Sequence, residues 1–143
     1  MMKNEMCLEF DSISANEAFA RVTVAAFMTQ MNPSMEEVAD VKTAVSEAVT
    51  NAIIHGYEGE GHKIVIRGRI DGEWLELSVE DRGVGIADVE KAMEPLYTTR
   101  PELERSGMGF LFMEAFMDEV KVESEPGKGT AVMMKKRIGQ RGE

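Results

Sequence analysis

The chain has little that would cross-link it or anchor it to anything else. A single cysteine, Cys7, excludes an internal disulfide. It sits within an apolar alternation and is expected to be a buried small hydrophobe. His55 and His62 are the only histidines, and neither makes a metal-ligand spacing with the cysteine or with the other. No apolar run approaches the roughly 20 residues of a membrane-spanning helix. The start "MMKNEMCLEF" is broken by Lys3, Asn4 and Glu5 and does not read as a secretory leader. A soluble cytoplasmic protein with no membrane partner is expected. Positive charge is also scarce: 16 Lys and Arg stand against 26 Asp and Glu, a net charge of −10. That balance makes the chain a poor candidate for sequence-independent nucleic-acid binding, and no direct nucleic-acid partner is expected, while a basic protein or a metal-bound polyanion fits.

What is present suits one domain, residues 1–143, with a single core: 43% of residues are apolar and 29% charged, a globular composition. The 12 methionines suit irregular gaps in that core. "EMCLEFD" (5–11) alternates as a half-buried strand. Ser14 or Asn16 opens a helix with "NEAFARVTVAAFMTQM" as its body, and Ser34 caps a second helix running from about Met35 to His55, ended by Gly56. On that second helix Val38, Val41, Val45, Ala48 and Ala52 share one stripe, while Asp40, Glu47, Asn51 and His55 form a polar stripe beside it. "YEGEGH" is a turn, and "KIVIRGRI" and "WLELSVED" form a hairpin. Leu75, Leu77 and Val79 face inward there, and the same periodicity delivers Asp81 to the end of the buried row. Residues 82–107 have weak periodicity and read as a functional loop, a lid at about 87–107. A third helix follows "GMG", and "VKVESEPGKGTAVMMKKRI" closes the chain as a second hairpin. Hairpins and three helices predict an α+β two-layer sandwich: a mainly antiparallel, mixed sheet with about three helices on one face. The other face is left open or covered by a partner.

Four pieces then call for a joint explanation. Glu47 and Asn51 lie one turn apart on a helix. Each suits a solvated face, but an amide oxygen also suits Mg2+ and a carboxylate beside it suits proton acceptance. Asp81 with Gly83 and Gly85 could be a strand-to-loop turn. It could equally be a buried acceptor for an exocyclic amine, with glycines that let backbone approach a flat ring. "SGMG" ahead of a helix could be a loose start or an anion site of free N–H groups. "GKGT" could be a plain hairpin turn. Neither a Walker A loop nor a Rossmann fingerprint is present. Taken in order, the pieces describe an Mg-ATP site.

These motifs resemble the ATP-binding fold shared by gyrase, Hsp90, histidine kinases and MutL: the N box Glu47 to Asn51, "DRGVGI", "GMG" and the closing "GT", from about 35 to 135. More narrowly, "FARVTVAAF", "SEAVTNAIIHGY", "PLYTTRPELERSGMGF" and "FMDEV" resemble the anti-sigma F factor family of spore-forming bacteria. Tyr97 and Arg100 depart mildly from that pattern. The resemblance implies a protein serine kinase that sequesters a sporulation sigma factor and uses Mg-ATP to phosphorylate a serine on an anti-anti-sigma partner. It implies Glu47 as catalytic base, Asn51 as Mg2+ ligand and Asp81 as adenine reader, supported by Thr130. Gly83 and Gly85 would line the adenine pocket, and Thr98, Thr99, Gly107, Met108 and Gly109 would complete the nucleotide contacts. Arg105 in the lid would sit near the γ-phosphate. Glu17 and Arg21 on the first helix would meet the sigma factor, in a homodimer. Two other readings remain: a general-stress anti-sigma serine kinase, and an ATP-dependent binding module without transfer.

Overall fold

In the computed structural model, residues 2–56, 62–83 and 109–139 are described. The elements are β1 (Lys3–Asp11), α1 (Ala15–Met28), a 3-10 turn (Thr29–Met31), α2 (Met35–Asn51), a π turn (Ala52–Gly56), β2 (Lys63–Asp71), β3 (Trp74–Asp81), α3 (Gly109–Phe116), β4 (Glu119–Glu125) and β5 (Gly129–Arg137). The five strands form one sheet in the order β1-β2-β3-β5-β4, and all four pairings are antiparallel. The turn expected at 57–62 lies outside the described residues except for His62.

Local chemistry sets the helix starts. Ser34 accepts a hydrogen bond from the Glu37 amide at 3.1 Å, and the Glu37 carboxylate accepts one from the Ser34 amide at 2.8 Å, a complete capping box for α2. The other Glu37 oxygen accepts from the Gly139 amide at 3.1 Å, so the cap also ties the exit of β5 to α2. At α1, Ser14 occupies the cap position without a side-chain bond, and Asn16 instead donates to the Asp11 carbonyl at 2.9 Å. The helix read as continuous to His55 is α-helical only as far as Asn51, where it widens into the π turn. Such widenings recur at functional sites.

The core lies between the helices and one sheet face. Val24, Phe27 and Met28 of α1 and Val41, Val45 and Val49 of α2 are buried with Ile64, Ile66, Ile70, Leu75, Leu77 and Val79 of the sheet. Each of these large side chains contributes roughly 1.5–3 kcal/mol by leaving water. Met28, Met113, Met117 and Met134 are buried as well, whereas Met35 is exposed.

The opposite sheet face carries charge. Strand register lines up Glu5, Arg69, Glu76, Lys135 and Glu119 across all five strands, alternating in sign at every step. Opposed unlike charges suit a wet surface. Cys7 belongs to this face and is exposed, which corrects the expectation that it is buried. The cause is strand parity: Met6, Leu8 and Phe10 face the core, so the residue between Met6 and Leu8 must face away.

Candidate functional site

Two clusters gather most of the described residues singled out in the sequence. The first lies between α2 and α3. The polar stripe of α2 places Glu47 and Asn51 one turn apart, both partly buried. Against them stands Gly109, the first residue of α3, which is itself buried. A methyl group on Gly109 would come within 2.9 Å of Asn51 Nδ2, 3.2 Å of its Oδ1 and 3.3 Å of Glu47 Oε2. Only a glycine lets the start of α3 come this close to the amide and the carboxylate. The cluster therefore joins a carboxylate, an amide and the positive end of a helix dipole, a combination that suits an anion and a cation held side by side.

The second cluster lies at the end of β3. Asp81 is the last member of the inward row Leu75, Leu77, Val79, and among the described residues it is the one buried charged side chain. Its Oδ1 accepts a hydrogen bond from the Gly83 amide at 2.9 Å, and the backbone of Thr130, its register partner on β5, bonds to the same carboxyl. Burial pushes the Asp81 carboxyl above the ordinary carboxylate range, and the two backbone hydrogen bonds pull it partly back. A buried carboxyl in this condition favours a ligand that brings a hydrogen-bond donor, such as an exocyclic amine.

The support from Thr130 comes through its backbone. Its hydroxyl is engaged with Ser124 Oγ at 2.8 Å, and Ser124 donates to the Gly129 carbonyl at 3.0 Å. Gly129, read in the sequence as part of a turn, proves to be the tightest contact of the cluster. Its φ is +97°, and a methyl there would lie 2.1 Å from the Asp81 carbonyl oxygen and 2.6 Å from Arg82 Cα. Nothing in the spacing of "GKGT" distinguishes a glycine that turns a hairpin from one pressed against a neighbouring strand; strand order decides that. The two clusters are linked, because the π turn that continues α2 packs against both β3 and β5.

Glu17 and Arg21 stand apart from both clusters, on α1. Ser46 on α2, the residue before Glu47, donates to Glu17, and Arg21 Nη1 lies 3.9 Å from the same Glu17 oxygen. Gly85, Thr98, Thr99, Arg105, Gly107 and Met108, with the lid expected at about 87–107, lie outside the described residues.

Several known proteins resemble this chain. The family described as histidine kinase-like ATPase domain matches residues 12–136. The anti-sigma F factor of Clostridium acetobutylicum is 60% identical over 138 residues, covering 96% of each chain. That of Halalkalibacterium halodurans is also 60% identical over 138 residues, covering 96% of this chain and 94% of its own. Among solved structures, the RsbU and RsbW domains of a Mycobacterium tuberculosis protein superpose with a TM-score of 0.71 at 21% identity, over 96% of this chain and 33% of that one. At that identity the likeness speaks to the fold alone.

Proposed function

The chain belongs to the histidine kinase-like ATPase family and, within it, to the anti-sigma F factors, and from that premise we propose that it is a protein serine kinase that sequesters a sigma factor. In this reading it uses ATP with Mg2+ to phosphorylate a serine on an anti-anti-sigma protein, and it works as a homodimer in the cytoplasm. No helix among the described residues is long and apolar enough to cross a membrane.

The observation that carries the reading is the meeting of Gly109 with Asn51 and Glu47. The residues fit the groups assigned to them. The glycine at 109 lets backbone approach Asn51 and Glu47 where a methyl would crowd both, and the Asp81 carboxyl is buried without a side-chain donor in the hydrogen bonds described for it. Asp81 would take the adenine amine, with Gly83 and Gly85 beside the ring. The start of α3, with Gly107, Met108, Thr98, Thr99 and Arg105 ahead of it, would take the phosphates. Asn51 would hold Mg2+, which supplies charge neutralisation at the phosphate oxygens when bound. The amide oxygen of Asn51 is a hard ligand of the kind that would suit Mg2+.

Glu47 then has one task. It accepts the proton of the incoming serine hydroxyl while the serine oxygen attacks the γ-phosphorus, the bond to the bridging oxygen breaks, and ADP leaves. Backbone N–H groups at the start of α3 stabilise charge on the transferring group. Glu17 and Arg21 would contribute to the sigma contact. The test is Glu47→Ala, incubated with labelled ATP and the anti-anti-sigma protein of a relative. Transfer should fall by about 1,000-fold or more, while ATP affinity stays within about threefold. Loss of ATP binding together with transfer would refute the role of Glu47. Binding without transfer in the unsubstituted chain would favour a nucleotide-gated binding module.

A further inference from the structure

The core-facing side of β5 carries one residue that does not belong there by chemistry. Val132 and Met134 point to the helices and are buried. By strand parity Lys136 faces the same way, and its side chain is only 14% exposed. An ammonium in such a place needs partners. Among the described residues Lys136 has two, from different helices. Its Nζ donates to the carbonyl of Phe116, the last residue of α3, at 2.7 Å, and lies 3.8 Å from Asp40 Oδ2 on α2.

These two contacts have a particular position relative to the site. Asp40 lies about two turns before Glu47 on the same polar stripe of α2. Phe116 closes the helix whose first residue is Gly109. The eight residues of α3 are thus tied to α2 at both ends: Gly109 rests against Asn51 and Glu47, and Lys136 bridges the last carbonyl to Asp40. A cation on the final carbonyl also complements the negative end of the α3 dipole. α3 can move closer to Asn51 only by pushing its side chain aside, since a methyl at Gly109 would already lie 2.9 Å from Nδ2. It can move away, and the Lys136 bridge opposes that motion.

We propose that Lys136 is a positioning residue for nucleotide: by holding Phe116 and Asp40 together, it sets how closely the glycine start of α3 meets Glu47 and Asn51, and so how tightly the polyphosphate is bound. This rests on the Mg-ATP reading above. The plain alternative is a helix cap that adds stability and nothing more. The two differ in what they do to ligands. A cap lost from a merely structural role weakens all ligands alike or none. A phosphate-positioning role weakens ATP and spares adenosine, whose purine is read at Asp81.

The experiment uses the full chain and measures equilibrium binding of Mg-ATP and of adenosine, with thermal unfolding in parallel, for Lys136→Met, Lys136→Arg and Asp40→Asn. Lys136→Met keeps most of the apolar stem and removes the charge. It should weaken Mg-ATP on the order of tenfold, the scale of one lost charge-assisted contact, and leave adenosine unchanged. Lys136→Arg, which can serve both partners, should restore most of the loss. Asp40→Asn should give a smaller loss in the same direction, and it serves as the measurement if Lys136→Met does not fold. An ATP-to-adenosine affinity ratio that stays constant in every folded variant would overturn the proposal, whatever happens to the melting temperature. Absence of ATP binding in the unsubstituted chain would overturn the nucleotide reading itself, a result visible before any variant is made.

Discussion

The two faces of the sheet handle charge in opposite ways. On the open face, Glu5, Arg69, Glu76, Lys135 and Glu119 alternate across the strands, each at least partly exposed and with an unlike neighbour opposite. On the helix face, a row of aliphatic side chains ends in Asp81, whose described partners are backbone amides. Charge on the first face is inexpensive and individually worth little. Charge on the second is resisted by desolvation, which makes Asp81 a group whose state a ligand can change. The same alternation of residues along β3 produced both, since Glu76 and Glu80 fall on the opposite parity from Asp81.

The sharpest way to break this contrast is Gly129→Ala. A methyl would sit against the backbone of Asp81 and Arg82, where no side chain can swing aside, at a φ that alanine resists. A loss of about 3 kcal/mol or more is expected in chemical denaturation. An unchanged midpoint would mean that β5 does not press on the end of β3.

Next in size is Asp81→Asn. Removing the carboxylate should lower adenine-nucleotide affinity by roughly 100-fold, the scale of a charge-assisted hydrogen bond. It should also reshape the pH dependence. Because the folded pKa is raised, the contribution of Asp81 to stability is fully present below the unfolded value of about 3.9 and is lost as pH rises through the folded one. The variant has no such titration, so its stability relative to the parent should improve as pH climbs through that window. Parallel stability curves for the two proteins would contradict a buried, titrating Asp81. In the parent, nucleotide affinity should weaken as pH falls through the raised pKa, since protonation removes the charge that strengthens acceptance from the amine.

A smaller effect is expected from Gly109→Ala, where the clash is with the mobile end of Asn51. The fold should persist, as alanine favours helix. Affinity for ATP in magnesium should drop by about tenfold as the amide is displaced by a few tenths of an ångström. Full affinity with an intact melting temperature would show that Asn51 tolerates the shift.

Arg69→Gln on the open face marks the low end. Its ion pair with Asp71 spans 3.5 Å between two half-exposed side chains. A change of about 0.5 kcal/mol or less is expected, shrinking further in high salt. A loss several times larger would indicate that the open face is not simply solvated.

Much of this was readable in advance where the signal is local. The capping box at Ser34 and Glu37, the inward row ending in Asp81, and the one-turn spacing of Glu47 and Asn51 each depend on neighbours within a few residues. Cys7 departs from its expected burial because strand parity, not the apolar character of its neighbours, sets the face it occupies. Ser46, Ser124 and Lys136 carried no signal, and Gly129 only that of the closing "GT", which says nothing of its contact. Their partners Glu17, Thr130, Asp81, Asp40 and Phe116 lie on other elements, so their placement depends on which strands and helices become adjacent.

By itself, the sequence determined periodicity and chemistry: where helices and strands form, which residues face inward, and which carboxylate and amide share a helix face. These follow from steric preferences and side-chain spacing that act over one or two turns. Only the tertiary structure decided that β5 inserts between β3 and β4, that Gly129 lies on the backbone of Asp81, and that Gly109 meets Asn51 and Glu47. Those contacts join residues distant in the chain. They form because burying the apolar faces of three helices and one sheet selects a single way of bringing the elements together.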